Sequence, residues 1–414
     1  MNTEPSTPFG PGDTRVVLLE GVSDTAVRLF EAGGYPVHAR YETALEGAAL
    51  IDAIKDAHIV GIRSRTQLSA DVLGQVGPLL AIGCFCIGTD QVALGTARVR
   101  GIPVFNAPFS NTRSVAELTI GEIVMLLRRI TDRSVQAHRG EWNKSAVGAF
   151  EVRGKTLGIV GYGNIGVQLA TLAEGIGMRV IYFDRTAKLR HGNTEPAGSL
   201  LDLLARADVV SLHVPDLPET RGMIGAAELA AMRPGAYLIN NSRGGVVDIA
   251  ALAGALQSGH LAGAAIDVFP TEPRSVTERF VSPLQGLPNV ILTPHIGGST
   301  QEAQERIGEE VAAKMLDCLA QGATIGAVNF PQIVQARDPA LVRYLHVHRN
   351  VPGVLGKLNA VFSSRGLNVG AQSLQTDGEI GYVIVDVARG PGGQEDILAD
   401  LVAIDGTIRA RALF

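Results

Sequence analysis

The chain has 414 residues, 46% of them hydrophobic and 19% charged, with 49 glycines and a formal net charge of −5. At roughly 150 residues per domain this length predicts two or three domains, and the composition suits a packed α/β protein rather than a disordered or fibrous one. The slightly acidic balance offers no nucleic-acid or membrane surface, and no apolar run approaches the roughly 20 residues that span a bilayer, so neither partner is expected.

The opening MNTEPSTPFGPGD lacks the basic end and apolar core of a signal peptide, and reads as a disordered leader over residues 1–13 of a cytoplasmic protein. Residues 14–109 alternate strands (RVVLLE, HIVGIRS, LLAIGCFC, GIPVFNAP) with helices (SDTAVRLFEAGG, DVLGQVG), the pattern of a parallel sheet. Cys84, Cys86 and Cys318 make neither a disulfide framework nor a metal site, so no metal is expected and both thiols of CFC read as core. Residues 110–298 open with the helical SVAELTIGEIVMLLRR. A second α/β unit follows, with strands TLGIVG, RVIYFD, DVVSLHV, AYLINN, AGAAIDVF and NVILTPH. The helix TQEAQERIGEEVAAKMLDCLAQG, within 299–330, is expected to return to the first domain, and 331–340 reads as a linker. Residues 341–414 run strand, helix, strand, strand, helix, strand, the βαββαβ order of a ferredoxin-like domain. The fold class is therefore α/β: two Rossmann-like, doubly wound parallel-sheet domains and a small C-terminal βαββαβ domain.

GYGNIG, Gly161 to Gly166, matches G-x-G-x-x-G after a strand and before a helix, and Asp184 follows 18 residues after Gly166 at the end of RVIYFD. Gly161 permits the tight turn, Gly163 lets a pyrophosphate approach, and Gly166 allows close helix–strand packing. The helix N-terminus suits the phosphates, and Asp184 suits a ribose while repelling a 2′-phosphate, so NAD is the expected cofactor.

Ligands of an open parallel sheet bind beyond the carboxyl ends of its strands. The polar residues there are His213 and Pro215 after VVSL, Asn241, Ser242 and Arg243 after AYLIN, Asp267 after GAAI, and His295 after VILTP, with Glu272 in DVFPTEP. Each has a bland reading as a surface charge or strand-end side chain. Together they supply an arginine, a carboxylate and a histidine, the set that reversible alcohol–ketone oxidoreduction needs. His295 would move the hydroxyl proton, Glu272 would fix its tautomer and raise its pKa, and Arg243 would grip a substrate carboxylate. Asp267 is expected to position the nicotinamide end.

GYGNIG, NNSRGGVVD, AAIDVFPTEP and LTPHIGGST resemble the D-isomer-specific 2-hydroxyacid dehydrogenases, and everything after the leader resembles the shorter bacterial members that end in an ACT domain. The resemblance implies catalysis by Arg243, Glu272 and His295. Cofactor contacts would fall on Gly161, Gly163, Asn164, Ile165, Gly166, Asp184, His213, Pro215, Asn241 to Arg243, Asp267, His295, Ile296, Gly297 and Gly298. Arg63 and Arg65 of GIRSRT, alternating at a strand end, would hold the substrate with Asn111, in a cleft that hinge closure shields.

The implied reaction is NAD-dependent interconversion of D-3-phosphoglycerate and 3-phosphohydroxypyruvate, the first step of L-serine synthesis, with 2-oxoglutarate reduction as an alternative activity. A different class is an NAD-sensing interaction protein. The ACT domain implies L-serine as allosteric inhibitor. Its site would use His348 and Asn350 on one strand face, Pro352 and Gly353 at the next helix start, and Asn368. A homotetramer is implied, with Trp142 and Lys144 near a subunit contact. Two departures stand out: Asn241 where the family has a small residue, and Val351 where close relatives tend to have arginine.

Overall fold

The computed structural model describes residues 11–273, 278–389 and 394–413. Of the expected leader, residues 1–10 lie outside the described residues and Pro11–Asp13 forms a single 3-10 turn. Chain contacts divide the protein into two compact units, Met1–Ser110 with Gln304–Phe414, and Asn111–Ala303.

The first unit contains a five-stranded parallel sheet in the spatial order Val37–Arg40, Val16–Leu18, Ile59–Ile62, Ala81–Cys84, Val104–Asn106. Its inner strands are near-continuous apolar runs because both faces are covered, and Val16–Leu18, Ile59–Ile62 and Ala81–Cys84 are buried throughout. The edge strand Val37–Arg40 has no such run, carries His38 and Arg40, and is invisible to a reading based on apolar stretches. Serine caps open two of the covering helices: Ser23 accepts the Thr25 N–H before Asp24–Ala32, and Ser69 accepts the Val72 N–H before Ala70–Gln75. Ile307, Val311, Met315 and Leu319 of helix Gln301–Gln321 complete the core with Val16, Leu18 and Phe30. Cys84 is buried in the core, while Cys86 lies past the strand end, partly exposed but packed against that core, and its Sγ donates to the Gly88 carbonyl.

The C-terminal βαββαβ domain forms an antiparallel sheet in the order Val369–Thr376, Ile380–Ala388, Leu341–Arg349, Thr407–Leu413. One face carries Val383, Val385 and Tyr344 against Leu358, Phe362 and Leu401 of its two helices. The other face carries Leu345, Tyr382 and Ile384, which share a core with Phe330, Leu319 and Tyr35. Burial on both faces explains why IGYVIVDVA reads as a continuous apolar run instead of alternating. Arg343 and Asp386 face each other across neighbouring strands in a buried two-point ion pair at 2.6 and 2.7 Å, and Arg343 also donates to the Gln321, Gln335 and Ala336 carbonyls. Each nitrogen of this guanidinium group is paired, as a charge out of water requires.

The second unit holds a seven-stranded parallel sheet in the order Val290–Leu292, Leu261–Ile266, Ala236–Asn240, Val209–Leu212, Thr156–Val160, Arg179–Phe183, Glu195–Pro196. The chain winds outward from Thr156–Val160 in one direction and then from Val209–Leu212 in the other. The switch point therefore lies between these two strands, where Gly161 and His213 leave the sheet. Helix Thr112–Arg128 packs on the sheet through Ala116, Ile123, Leu126 and Leu127. Helix Ile130–His138 follows it, with none of its residues in the core.

Candidate active site

Gly161 adopts φ +95°, and a Cβ there would stand 2.5 Å from the His213 carbonyl oxygen, so the turn out of the first strand admits only glycine. Gly163 is the N-cap of helix Asn164–Gly175, whose first turn contains Ile165 and Gly166, and no heavy atom lies within 4 Å of where a Gly163 Cβ would stand. That open backbone is the cradle a pyrophosphate requires. Asp184 accepts the Tyr162 N–H at 3.0 Å and both the N–H and hydroxyl of Thr186, at 2.9 and 2.8 Å, with Lys188 Nζ at 3.9 Å. Burial pushes its carboxyl up, but these hydrogen bonds and Lys188 outweigh it and hold the group below the usual carboxylate range. The residues present fit an NAD adenosine half, with an anion set for the ribose.

Across the switch point, His213 pairs with Ser211 Oγ at 2.8 Å, and burial pushes its pKa down to about 4, so the ring is neutral. The Pro215 carbonyl accepts the Thr220 hydroxyl. After the strand Ala236–Asn240, Asn240 ties the next turn: its Oδ1 accepts from Ser242 N–H (3.1 Å) and Ser242 Oγ (2.7 Å), while its Nδ2 donates to the Arg243 carbonyl (3.0 Å). A reading of strand-end residues singles out Asn241 to Arg243 and misses Asn240, which looks like the last residue of a strand. Gly244 then brings the arginine turn against the next loop, since a Cβ there would collide with the Phe269 carbonyl.

That loop supplies Glu272. Its Oε1 accepts the Phe269 N–H at 3.1 Å and its Oε2 lies 2.9 Å from His295 Nδ1. His295 has φ +56° and its N–H donates to the Asp267 carbonyl at 2.8 Å, so the histidine is presented by a left-handed turn. The Asp267 carboxylate is only 1% exposed and holds the same turn, accepting from Thr293 Oγ1 (2.6 Å), Ile296 N–H (2.8 Å) and Gly297 N–H (2.8 Å). Gly298 faces Asn111, whose Nδ2 occupies the space a Cβ would need. The Glu272 hydrogen bond raises the His295 pKa, burial opposes it, and the Glu272 and Asp267 charges add to the rise. Burial raises Glu272, but the His295 bond and charge, with the Phe269 N–H, bring it below its ordinary value. Arg243, Glu272 and His295 line one cavity of about 360 Å³ with Asp216 and Arg221, a salt-bridged pair at 2.8 Å. In the sequence Asp216 and Arg221 carry no signal beyond their place in the loop after His213.

In the first unit, Arg63 and Arg65 lie just past the strand Ile59–Ile62, in a loop organised by Glu20. The buried Glu20 carboxylate accepts the Arg63, Arg65 and Thr66 N–H groups at 3.1, 3.0 and 2.8 Å. In the sequence Glu20 looks like an ordinary strand-end acid.

In the terminal domain His348 is 4% exposed, and Asn350, one residue past the strand end at Arg349, continues the ladder with its N–H on the Glu379 carbonyl. A register shift between Val347 and His348 lies in the pairing with the strand Thr407–Leu413, while the pairing with Ile380–Ala388 runs unbroken. Gly353, φ +91°, caps helix Val354–Ser363 after Pro352, and the Asn368 carbonyl accepts the Ala388 N–H. His346 lies behind His348, their Nδ1 atoms 3.3 Å apart. The Thr407 hydroxyl donates to the Leu401 carbonyl, so His346 Nε2, at 2.9 Å from Thr407 Oγ1, carries the hydrogen of that contact. Burial keeps both rings neutral, His346 near pKa 4. His346 Nδ1 is then bare, His348 Nδ1 donates to it, and His348 Nε2 is left as an acceptor.

Comparison with known proteins agrees with this fold. Residues 120–297 match the NAD binding domain of the D-isomer specific 2-hydroxyacid dehydrogenases, and residues 345–409 match the ACT domain of the acetohydroxyacid synthase small-subunit type. The chain belongs to the D-isomer-specific 2-hydroxyacid dehydrogenase family: it is an NAD-dependent oxidoreductase with an ACT domain. Along 97% of both chains it is 54% identical to the D-3-phosphoglycerate dehydrogenase of Haemophilus influenzae and 53% identical to that of Escherichia coli. Among solved structures, the D-lactate dehydrogenase of Aquifex aeolicus, complexed with NAD and lactic acid, covers 77% of this chain and all of its own, at 28% identity and a TM-score of 0.67.

Proposed function

We propose that the protein interconverts D-3-phosphoglycerate and 3-phosphohydroxypyruvate as the first step of L-serine synthesis, with L-serine inhibiting through the ACT domain. The observation that carries the reaction is the Glu272–His295 pair beside Arg243 in one cavity. NAD, when bound, supplies the acceptor for the hydride. His295 takes the hydroxyl proton during oxidation and returns it during reduction, with Glu272 holding the Nδ1–H tautomer and leaving Nε2 toward substrate. Arg243 offers two parallel donors to the substrate carboxylate and carbonyl. Near-full-length similarity to D-3-phosphoglycerate dehydrogenases supports the phosphorylated substrate. Arg63, Arg65 and Asn111 are proposed as its further binding residues, because a phosphate brings almost two negative charges that Arg243 alone does not balance.

For the effector, the bare Nε2 of His348 suits the hydroxyl or ammonium of serine, and the Gly353 turn suits its carboxylate. Trp142, 83% exposed, supports a subunit contact in a homotetramer. The test is NADH oxidation with 3-phosphohydroxypyruvate and with 2-oxoglutarate, each with and without L-serine. Turnover of the phosphorylated acid, suppressed by serine, is the expected result. Preference for 2-oxoglutarate overturns the substrate, and no turnover of either moves the reading to an NAD sensor.

A further inference from the structure

Behind the arginine turn lies a buried polar pair that the reaction above does not use. Asn241 is 7% exposed, and Glu122, on helix Thr112–Arg128, is 2% exposed. Asn241 Nδ2 donates to Glu122 Oε2 at 2.7 Å and to Thr119 Oγ1 at 3.0 Å, while Thr119 Oγ1 passes its own hydrogen to the Val115 carbonyl at 2.8 Å. Both amide hydrogens and the hydroxyl hydrogen are thereby used. Two buried oxygens, Asn241 Oδ1 and Glu122 Oε1, have no hydrogen-bond partner among the described residues. Asp267, at the end of the strand Leu261–Ile266, is the charged group whose field reaches Glu122 from the packed elements, and it is negative.

A carboxylate in this position faces burial and a like charge without an answering cation among the described residues, and it leaves the asparagine oxygen bare. A single proton removes all three deficits. A carboxylic acid and a primary amide form a cyclic pair, the amide N–H on the acid carbonyl and the acid O–H on the amide oxygen, and the two orphaned oxygens belong to the two side chains already joined. We propose that Glu122 stands protonated and pairs in this way with Asn241, a neutral clamp that fixes the Asn241–Arg243 turn to the long helix. Glu122 and Asn241 are then positioning residues for Arg243, an inference that rests on Arg243 gripping the substrate. The clamp depends on the Asn241 amide, which can both donate to the acid carbonyl and accept its O–H. Burial, opposed by the Asn241 bond and reinforced by Asp267, pushes Glu122 up to about 7, so the clamp opens as the pH rises past neutrality.

Infrared spectroscopy of the full-length protein tests the proton without reference to activity. A carbonyl band of a buried protonated carboxylic acid is expected at pH 6, absent at pH 9 and absent from Glu122→Gln at both. No such band in the wild type at pH 6 overturns the clamp whatever the substrate proves to be. Kinetics test the positioning role. The wild-type KM for the acid substrate is expected to rise roughly fivefold or more between pH 6.5 and 8.5, the effect of one buried hydrogen bond lost. Glu122→Gln, which keeps a cyclic amide–amide pair with nothing to titrate, should lose that rise while kcat changes little. An identical KM profile in both proteins overturns the positioning role. Should Glu122→Gln fail to fold, Asn241→Ser, which removes the amide partner, must shift the acid band, and an unshifted band overturns the pair.

Discussion

Glu272 Oε2 lies 2.9 Å from His295 Nδ1, and the same carboxylate accepts the Phe269 N–H through its other oxygen. One oxygen fixes the loop and the other fixes the ring. The histidine is therefore held in a single tautomer by a carboxylate that cannot turn away without breaking its own loop.

The pair sets the pH dependence of turnover. Because Glu272 raises the His295 pKa above 6.5, oxidation, which needs neutral imidazole, should gain its activity only above that value, and reduction, which needs imidazolium, should persist above it. Glu272→Gln leaves burial to lower the histidine pKa, so the oxidation limb moves to lower pH and reduction weakens near pH 8. Replacing His295 by alanine should reduce kcat by about 10²–10⁴ in either direction. For folding, the raised His295 pKa contributes stability that is fully present below 6.5 and lost as pH rises through its folded value. The lowered Glu272 pKa contributes stability present above 4.5 and lost as pH falls through its folded value. Their joint support is therefore greatest between 4.5 and 6.5, and half-exposure keeps it small. Parallel pH profiles of turnover and melting temperature check both signs.

Asn240 is expected to matter as much as its more visible neighbours. Asn240→Ala strips partners from the Ser242 N–H and hydroxyl and the Arg243 carbonyl. The cost should be about 1–3 kcal/mol for the buried groups left unpaired. Thermal melts should show the loss, and KM for the acid substrate should rise because the arginine turn is freed. A KM equal to the wild-type value would place Asn240 outside substrate positioning.

Glu20 should act on substrate binding without touching substrate. Three backbone N–H groups of the Arg63–Thr66 loop converge on its carboxylate. Glu20→Ala should raise KM for 3-phosphohydroxypyruvate about tenfold with a smaller change in kcat, the pattern of lost uniform binding. Equal KM values for variant and wild type would remove Arg63 and Arg65 from the binding set.

Asp184 should set the choice of dinucleotide. Its carboxylate is pinned by Tyr162 and Thr186, and Lys188 stands within 3.9 Å to receive a phosphate once it is gone. Asp184→Ser should move the NADPH/NADH ratio of kcat/KM toward NADPH by on the order of tenfold or more, because a like-charge contact is removed. Initial rates with the two cofactors decide it.

His348 should carry the effector response through His346. His348→Ala should abolish L-serine inhibition while basal turnover is kept. His346→Phe, which removes the bare Nδ1 that orients the His348 ring, should weaken inhibition severalfold by the loss of one hydrogen bond. Inhibition curves unchanged in both variants would remove the effector from this strand.

Much of the candidate site is legible in the sequence because its residues sit where two local patterns meet. GYGNIG stands between a strand and a helix, and Arg243 and His295 follow apolar runs at the ligand edge of the sheet. The supporting residues are hidden by the same logic. Asn240 counts as strand, Glu122 sits on the buried face of a helix, and Glu20 lies just past a strand in a different unit from the triad. Alternation places Cys86 inside its strand, yet it packs on the core from beyond the strand end and is only partly buried.

Period, glycine spacing and strand-end chemistry, all properties of neighbours along the chain, determined the α/β class with its terminal βαββαβ domain, the dinucleotide motif and the candidate catalytic set. Tertiary structure alone decided what holds that set in place: Asp267 folding inward onto the His295 turn, Asn240 gripping the Arg243 turn, and Glu122 meeting Asn241 across 119 residues of sequence. Those contacts depend on which buried donors find which acceptors, and hydrogen bonds of that kind are directional, short-ranged and set only once the elements have packed.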